Sequence, residues 1–435
     1  MKKIFLILLA RLSKQIIKKH RPFIIGITGT VGKTTVTNFV YDFLRTLHGE
    51  RVYMSAYNYN GEFGIPLTIL QSKSPKKNFI LWIWVYMKGI AMLLKRSYPR
   101  YLVLEYGIDH PGEMDFLIDI APPDIAILLN VSKNHVESFP VFQDYVAEKM
   151  KLAQAAKKVI YNKDDKIFDS LIQGLSDKEV LSYGVKDTDC TIYAKNIHAH
   201  LEDLSFSLVK SDESCEMHYP LIGEFQVYNI LPVFTLGISL GMDVQSIRER
   251  LTNIHPQKGR WSVLKWVCES FIIDGSYNGG YNSISGGIGY LNGLESDYNK
   301  ILFLGDMREL WDYSKELHTE IAEQIIASRV QSVVLVGEEM KHFVYPLVLE
   351  AWGEDRVFSF LHARLAGKKV RDIIMSGPDG IKTVIFTKGS QNCIYLEEGI
   401  KEFLYDLRDV DKLCRQAEYW MDIKNHFFES VIAEI

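Results

Sequence analysis

Residues 26–35 read GITGTVGKTT, placed after the apolar run Phe23–Ile27 and before a helical pattern from Lys33 to about Leu47. A glycine-rich turn between strand and helix aims successive backbone N–H groups at one point, and the helix dipole adds partial positive charge there. Here those groups run from Gly29, Thr30, Gly32 and Lys33 to Thr34 and Thr35, a cradle for phosphate oxygens. Lys33 would set a point charge against β- and γ-phosphates, and the Thr34 hydroxyl could hold Mg²⁺. The usual phosphate loop has its first glycine where this chain has Ile27; Gly26 stands one residue earlier, so the loop is a variant. A chance glycine-rich turn is the competing reading, and the strand and helix on either side argue against it.

Outward from the loop, short apolar runs alternate with helical patterns. Tyr101–Glu105, Asp124–Val131 and Lys157–Tyr161 read as strands, as do Phe271–Ile273, Lys300–Leu304, Ser332–Val336 and Thr383–Thr387. Helical stretches such as Tyr313–Ala327 separate them. Such alternation predicts an α/β fold with mostly parallel sheets. Between about Thr191 and Tyr219 the pattern switches to short antiparallel strands. Pro256 and Gly259 punctuate the chain after a helical run from Val244 to Leu251, and the alternation restarts at Ser270. The expected organisation is an N-terminal amphipathic helix in 1–21, a phosphate-loop domain in 22–258, and a second, Rossmann-like α/β domain in 259–435 that ends in a helix.

The 435 residues are 47% hydrophobic and 24% charged, a globular composition that excludes a disordered chain, a collagen or a coiled-coil rod. With 50 Lys+Arg against 54 Asp+Glu the net charge is −4, which argues against a general nucleic-acid binder. Five scattered cysteines show neither disulfide-framework nor metal spacing, so a reducing cytoplasm is expected. Ile4–Ala10 is too short for a signal peptide and is followed by Arg11, Lys14, Lys18 and Lys19. It reads as an amphipathic helix resting on the protein or on a membrane surface. Phe79–Leu94 carries Trp82, Trp84 and Tyr86 but falls short of the ~20 apolar residues that span a bilayer and is interrupted by Lys88. It reads as a helix that covers the core or lies at an interface. Peripheral contact with the inner membrane face through residues 1–20 or 79–94 is the corresponding expectation.

Taken singly, the remaining polar candidates are ordinary. Glu105 ends the apolar strand YLVLE, a natural place for an acidic metal ligand beside a nucleotide, although such a glutamate is more often solvated. His135 reads as a loop histidine, and Lys149 as a lysine on a helix surface.

Their order along the chain is more specific. GITGTVGKTT at 26–35 is followed by YNGEFGIPLTIL at 59–70, LVLEYGIDHPGEMDFL at 102–117, NVSKNHVESF at 130–139, Glu148-Lys149 and GEFQVYN at 223–229. Later come KGR at 258–260, DGSYN at 274–278, LGDMREL at 304–310, His318 and TKGS at 387–390. Over about residues 22–405 this series resembles the Mur ligase family, nearest the branch that adds D-alanyl-D-alanine to a UDP-muramoyl tripeptide. The resemblance implies an ATP- and Mg²⁺-dependent ligase of cell-wall precursor synthesis. ATP would phosphorylate a carboxylate on a peptide acceptor, and an amino acid or dipeptide amine would attack the acyl phosphate. It further implies phosphate contacts for Lys33 and Thr34, metal ligation by Thr34, Glu105 and His135, and a carbamylated Lys149 able to hold a second Mg²⁺. By the same resemblance Arg260 reaches ATP phosphates on domain closure, and Asp274, Tyr277 and Asn278 meet ribose and adenine. Asn60, His318 and Lys388 are the implied substrate-side residues. On residue type alone, Asp274–Asn278 is a strand-to-turn connection and His318 a helix-surface histidine.

The chain also departs from that pattern. Gly279-Gly280-Tyr281 stands for the family's Ala-Asn-Pro, Trp311 for a glycine, Phe225 for a histidine, and Gln391 for the arginine after Lys-Gly-Ser. Glutamine cannot replace arginine's bidentate grip on a carboxylate, which puts D-alanyl-D-alanine in doubt as the added group. The phosphate loop begins at residue 26, where members of the branch have a preceding domain that grips the UDP-sugar. A partner protein, or an acceptor without that handle, is therefore expected. Two rival readings are a folate-type polyglutamylating ligase and a non-catalytic ATP-binding partner in cell-wall assembly. The DGSYN and LGDMREL segments count against the first, and the retained Lys33, Glu105 and His135 against the second.

Overall fold

The computed structural model describes residues 2–55, 59–75, 78–132, 139, 141–201, 203–252, 254–265, 270–295, 297–308, 310–377, 381–391 and 393–433. The chain forms two compact units, Met1–Ile254 and His255–Ile435.

In the first unit, the described strands are β1 (Phe23–Thr28), β2 (Val52–Tyr53), β3 (Tyr101–Glu105), β4 (Ile125–Leu128), β5 (Lys158–Asn162), β6 (Glu179–Gly184), β7 (Ile192–His200), β8 (Asp203–Lys210) and β9 (Glu213–Tyr219). They form one sheet in the order β2-β3-β1-β4-β5-β6-β7-β8-β9. Pairing is parallel as far as β7; β7, β8 and β9 pair antiparallel. The central strands read as unbroken apolar runs because both faces are covered. Ile24, Leu102, Leu104, Ala126 and Leu128 point to one layer. Ile25, Ile27, Val103, Ile125 and Ile127 point to the other.

The first layer is built from α1 (Lys2–His20), α3 (Gly64–Ile69), α4 (Phe79–Leu94), α5 (Glu113–Ile120) and α6 (Phe142–Ala155). In α1 the buried residues Leu9, Leu12, Ile16 and Ile17 recur at helical spacing, so the helix packs as an amphipathic element on this unit. The opposite layer holds α2 (Lys33–His48) and the helix Val227–Ser239, with the inner face of β8. Among the described residues no helix is long and apolar enough to cross a membrane.

The second unit has β10 (Ser262–Lys265), β11 (Phe271–Gly275), β12 (Asn299–Gly305), β13 (Ser332–Val336), β14 (Val357–Phe360) and β15 (Thr383–Lys388) in the order β10-β11-β15-β12-β13-β14. All pairs are parallel except β10 with β11. Both sheets agree with the predicted α/β class, and the antiparallel strands of the first sheet fall within 191–219 as expected. β2, β6, β10 and β14 were not predicted. β2 is two residues long, and the others are short or half-exposed and lack a continuous apolar signature.

Candidate functional site

β1 ends at Thr28 and α2 starts at Lys33, so the quoted loop lies at the carboxyl end of the central strand, flanked by β3 and β4. Gly32 adopts φ +88°, and a Cβ there would lie 2.7 Å from Asn229 Oδ1. At Gly29 a Cβ would meet that of Leu129 at 2.9 Å. Both positions thus require glycine for backbone approach. Asn130, just past β4, fastens the loop: its Oδ1 accepts from Val31 N at 2.9 Å and its Nδ2 donates to Val31 O at 2.9 Å. Thr30 N donates to Asn130 O at 2.8 Å, and Ser132 N to Thr30 Oγ1 at 3.1 Å. This clamp joins positions about a hundred residues apart, and the sequence reading missed it.

Two cations converge on the cradle. Lys33 Nζ donates to Gly29 O at 2.9 Å and to Thr30 O at 3.1 Å. From α6, Lys149 Nζ donates to the same Gly29 O at 3.1 Å and lies 4.5 Å from the centroid of the Tyr145 ring. Lys149 is not the surface lysine its helix pattern suggested, since it is 1% exposed. Burial first, then the charge of Lys33, hold its ammonium well below the ordinary lysine pKa, while Asp109 and Glu105 oppose the shift.

Glu105, at the end of β3, is buried and accepts from Asn60 Nδ2 at 3.1 Å. Asn60, expected on the substrate side, holds this carboxylate; its own carbonyl accepts from Gly107 N at 2.8 Å. Thr34, Thr37 and Glu105 line one small cavity, and the buried Thr37 hydroxyl has no hydrogen-bond partner among the described residues. Thr35 is buried within the first turn of α2. His135 lies outside the described residues. Among those described, no group of three or more His, Cys, Asp and Glu could hold a metal.

In the second unit, the carboxyl ends of β11, β12 and β15 approach backbone to backbone. A Cβ on Gly279 would fall 2.6 Å from the carbonyl carbon of Gly389, and one on Gly389 would fall 2.9 Å from Gly305 Cα. Glycine at 279, where the family pattern has alanine, is therefore dictated by packing. Asp274 is fully buried. Ser276 N donates to its Oδ1 at 2.9 Å, Oδ2 has no hydrogen-bond partner among the described residues, and burial raises its pKa. Lys388, at the end of β15, is pushed down to about 7 by burial and then by the charge of Arg260, against the pull of Asp274 and Cys414. The Arg260 guanidinium lies 4.4 Å from the centroid of the Tyr277 ring. Asn278 Oδ1 accepts from Gly279 N at 3.0 Å, so this side chain shapes its own turn.

His318 has neither nitrogen turned outward. Nε2 accepts from Met307 N at 3.1 Å, Nδ1 donates to Ser314 O at 2.7 Å, and the ring is fully buried. Its observed contribution is to hold the turn after β12. Arg415, absent from the sequence reading, pins the Tyr277 turn by donating to Ser276 O at 2.9 Å and Tyr277 O at 2.7 Å.

Against known proteins, residues 27–83 and 85–237 match the model of the Mur ligase middle domain. A UDP-N-acetylmuramoyl-tripeptide–D-alanyl-D-alanine ligase from Haemophilus influenzae is 25% identical over 86% of this chain and 81% of its own length. Among solved structures, MurF from Acinetobacter baumannii superposes with a TM-score of 0.75 at 20% identity, covering 92% of this chain and 80% of that one. MurF from Thermotoga maritima, solved in complex with ADP, gives 0.72 at 22% identity over 93% and 84%.

Proposed function

The chain belongs to the Mur ligases, and from that premise we propose that it is an ATP-dependent, ADP-forming amide ligase acting on a muramyl-peptide-type acceptor. The observation that carries the reading is the pair of cations, Lys33 and Lys149, bonded to the single Gly29 carbonyl inside a phosphate-binding cradle. Burial and the charge of Lys33 disfavour the charged form of Lys149 at this shared oxygen, and a bound polyanion would favour it.

An acceptor carboxylate oxygen attacks the γ-phosphorus of ATP; the bond to the β-bridging oxygen breaks and ADP leaves. The amine nitrogen then attacks the acyl carbon, loses a proton to solvent, and expels inorganic phosphate as the amide forms. The barrier lies in bringing a carboxylate against a tetraanionic nucleotide, so positioning and cations dominate. The loop N–H groups and Lys33 orient the phosphates, and Asn130 keeps the loop in shape.

Mg²⁺ fits the donors present. The Thr34 hydroxyl and Glu105 carboxylate are hard oxygen ligands lining one cavity, beside the unpartnered Thr37 hydroxyl. When bound there, Mg²⁺ would offset charge on the phosphates, with His135 as a further proposed ligand; carbamylation of Lys149 would convert this cation into an anion able to hold a second Mg²⁺. We assign to Arg260, Asp274, Tyr277 and Asn278 nucleotide contacts, and to Lys388 a substrate-side role.

The test is phosphate release with ATP, Mg²⁺, UDP-muramoyl tripeptide and D-alanyl-D-alanine. Turnover that needs both acceptor and amine, and is lost in Lys33→Ala, supports the ligase. Turnover with folate and glutamate instead would transfer the chain to the polyglutamylating reading. Nucleotide binding without amide formation across an amine-by-acceptor panel would leave only a binding partner.

A further inference from the structure

The outer face of α4 is apolar along its whole length. Ile80, Ile83, Trp84, Met87, Ile90 and Leu94 all point to solvent at helical spacing, with Trp84 70% and Leu94 80% exposed. At 1.5 Å per residue this face is about 24 Å long. It is far more apolar surface than scattered single side chains would present. Lys88, the only charged residue in the helix, gives it no polar relief, because its ammonium turns back onto Gln71 O.

The helix is held rigidly in that attitude by α1, which runs parallel to it. Phe5 meets Trp82 with ring centroids 6.4 Å apart. Leu12 packs so close to Gly89 that a Cβ there would fall 2.4 Å from Leu12 Cδ2. Lys19 Nζ donates to Leu93 O and, at 3.1 Å, to Lys95 O, while His20 Nε2 donates to Met92 O at 3.1 Å. The last carbonyls of α4 are thereby capped by side-chain donors, the Lys19 ammonium among them.

Charge identifies what covers the face. Residues 1–41 and 63–104 contain fifteen Lys and Arg and not one Asp or Glu, although the whole chain is net −4. Ten of these lie within α1 and α4 or immediately after them, and one of the ten, Lys14, is paired with Asp119. Exposed Lys95 and Arg96 follow the apolar stripe of α4, and exposed Arg11 and Lys18 lie along the outer side of α1. An apolar stripe with a central tryptophan and a cationic rim matches the boundary between acyl chains and acidic headgroups. A second copy of the chain would oppose one cationic rim to another.

We propose that the α1/α4 pair docks this protein on an anionic lipid bilayer, with α4 lying in the plane of the interface. The docking surface belongs to the first unit and does not depend on the ligase reading. It would restrict the enzyme to acceptors presented at a membrane surface.

The test is flotation of the full chain with vesicles of phosphatidylglycerol and phosphatidylcholine, or of phosphatidylcholine alone, without nucleotide. The wild type floats with the anionic vesicles at least about tenfold more than with neutral ones, and about 0.5 M salt weakens this. Ile80→Glu/Trp84→Glu, both at exposed positions, reduces flotation by about tenfold or more with an unchanged melting temperature. Lys95→Glu/Arg96→Glu, which touches no core residue, reduces it severalfold and serves if the first variant fails to fold. Wild-type protein left at the bottom of the gradient, or variants that float like wild type, overturn the proposal. So does light scattering that finds a dimer dissociated by Ile80→Glu/Trp84→Glu with no vesicle binding, since the face is then a protein interface. Phosphate release measured without vesicles is unchanged in both variants, which separates failure of docking from failure of the ligase.

Discussion

Each unit gathers cations around a buried acid at the carboxyl end of its parallel strands, but the cations are satisfied differently. In the first unit, Lys33 and Lys149 share a backbone carbonyl, with Glu105 and Asp109 near enough to be felt electrostatically. In the second, Arg415 is locked onto Glu397, its Nε and Nη2 bonded to the two carboxylate oxygens at 2.8 and 2.5 Å, and Lys424 joins the same group at 2.9 Å. A neutral carbonyl is a weak partner for an ammonium and is readily exchanged for a phosphate oxygen; a buried carboxylate is not. The first arrangement suits an incoming ligand, whereas the second holds the Ser276–Tyr277 turn in place.

If that contrast is right, Lys33→Ala lowers acceptor-dependent phosphate release by about a thousandfold, or about 4 kcal/mol of transition-state stabilisation, without moving the thermal midpoint. A variant that keeps a tenth of the activity would mean the cradle works through its N–H groups alone. Glu397→Gln should do the reverse. It leaves Arg415 and Lys424 undercompensated in a dry interior and costs about 3 kcal/mol in denaturant unfolding. An unchanged midpoint would show that the network is dispensable.

Asn130→Ala separates loop shape from loop charge. It removes both side-chain bonds to Val31 while leaving every cation in place, and an effect of about 1–2 kcal/mol is expected in nucleotide affinity measured by calorimetry. Equal affinity in the two proteins would show that the glycines alone fix the loop.

Legibility in the sequence follows the same division. Strands buried on both faces announce themselves as apolar runs, so β1, β3, β4, β12, β13 and β15 could be placed to within a few residues. A two-residue strand such as β2, or an antiparallel edge such as β10, carries too little pattern. The phosphate loop is contiguous, and its chemistry could be read directly. The groups that shape it are not contiguous. Asn130 lies 99 residues from Val31, and Arg415 lies 138 from Tyr277; neither has a local signal. Lys149 was singled out only through family resemblance, because helical spacing cannot show that α6 turns it inward. The same resemblance placed His318 on the substrate side, yet both of its nitrogens are engaged with backbone of its own region.

The subtlest prediction concerns Lys388, whose folded pKa of about 7 lies well below the ordinary lysine value of 10.5. For a base depressed on folding, the unfolded chain holds more protons than the folded one between those two values, so stability rises with pH across that interval. Below about 7 both states carry the proton, and the penalty of burying the charge is felt in full. Lys388→Met removes the penalty. Its gain in thermal midpoint over wild type should therefore be largest near pH 6 and shrink as pH climbs through about 7 toward 9. Asp306, with a carboxyl raised to about 6 chiefly by burial, also titrates in this unit, but it is common to both proteins and drops out of the difference. Asp274 loses a neighbouring cation in the variant, which destabilises its ionised form and reduces the gain throughout the interval without reversing its slope. A difference that stays flat from pH 6 to 9 would mean that Lys388 keeps its proton when folded. The second unit would then hold a true buried cation, satisfied much as Lys424 is, and not a neutral amine.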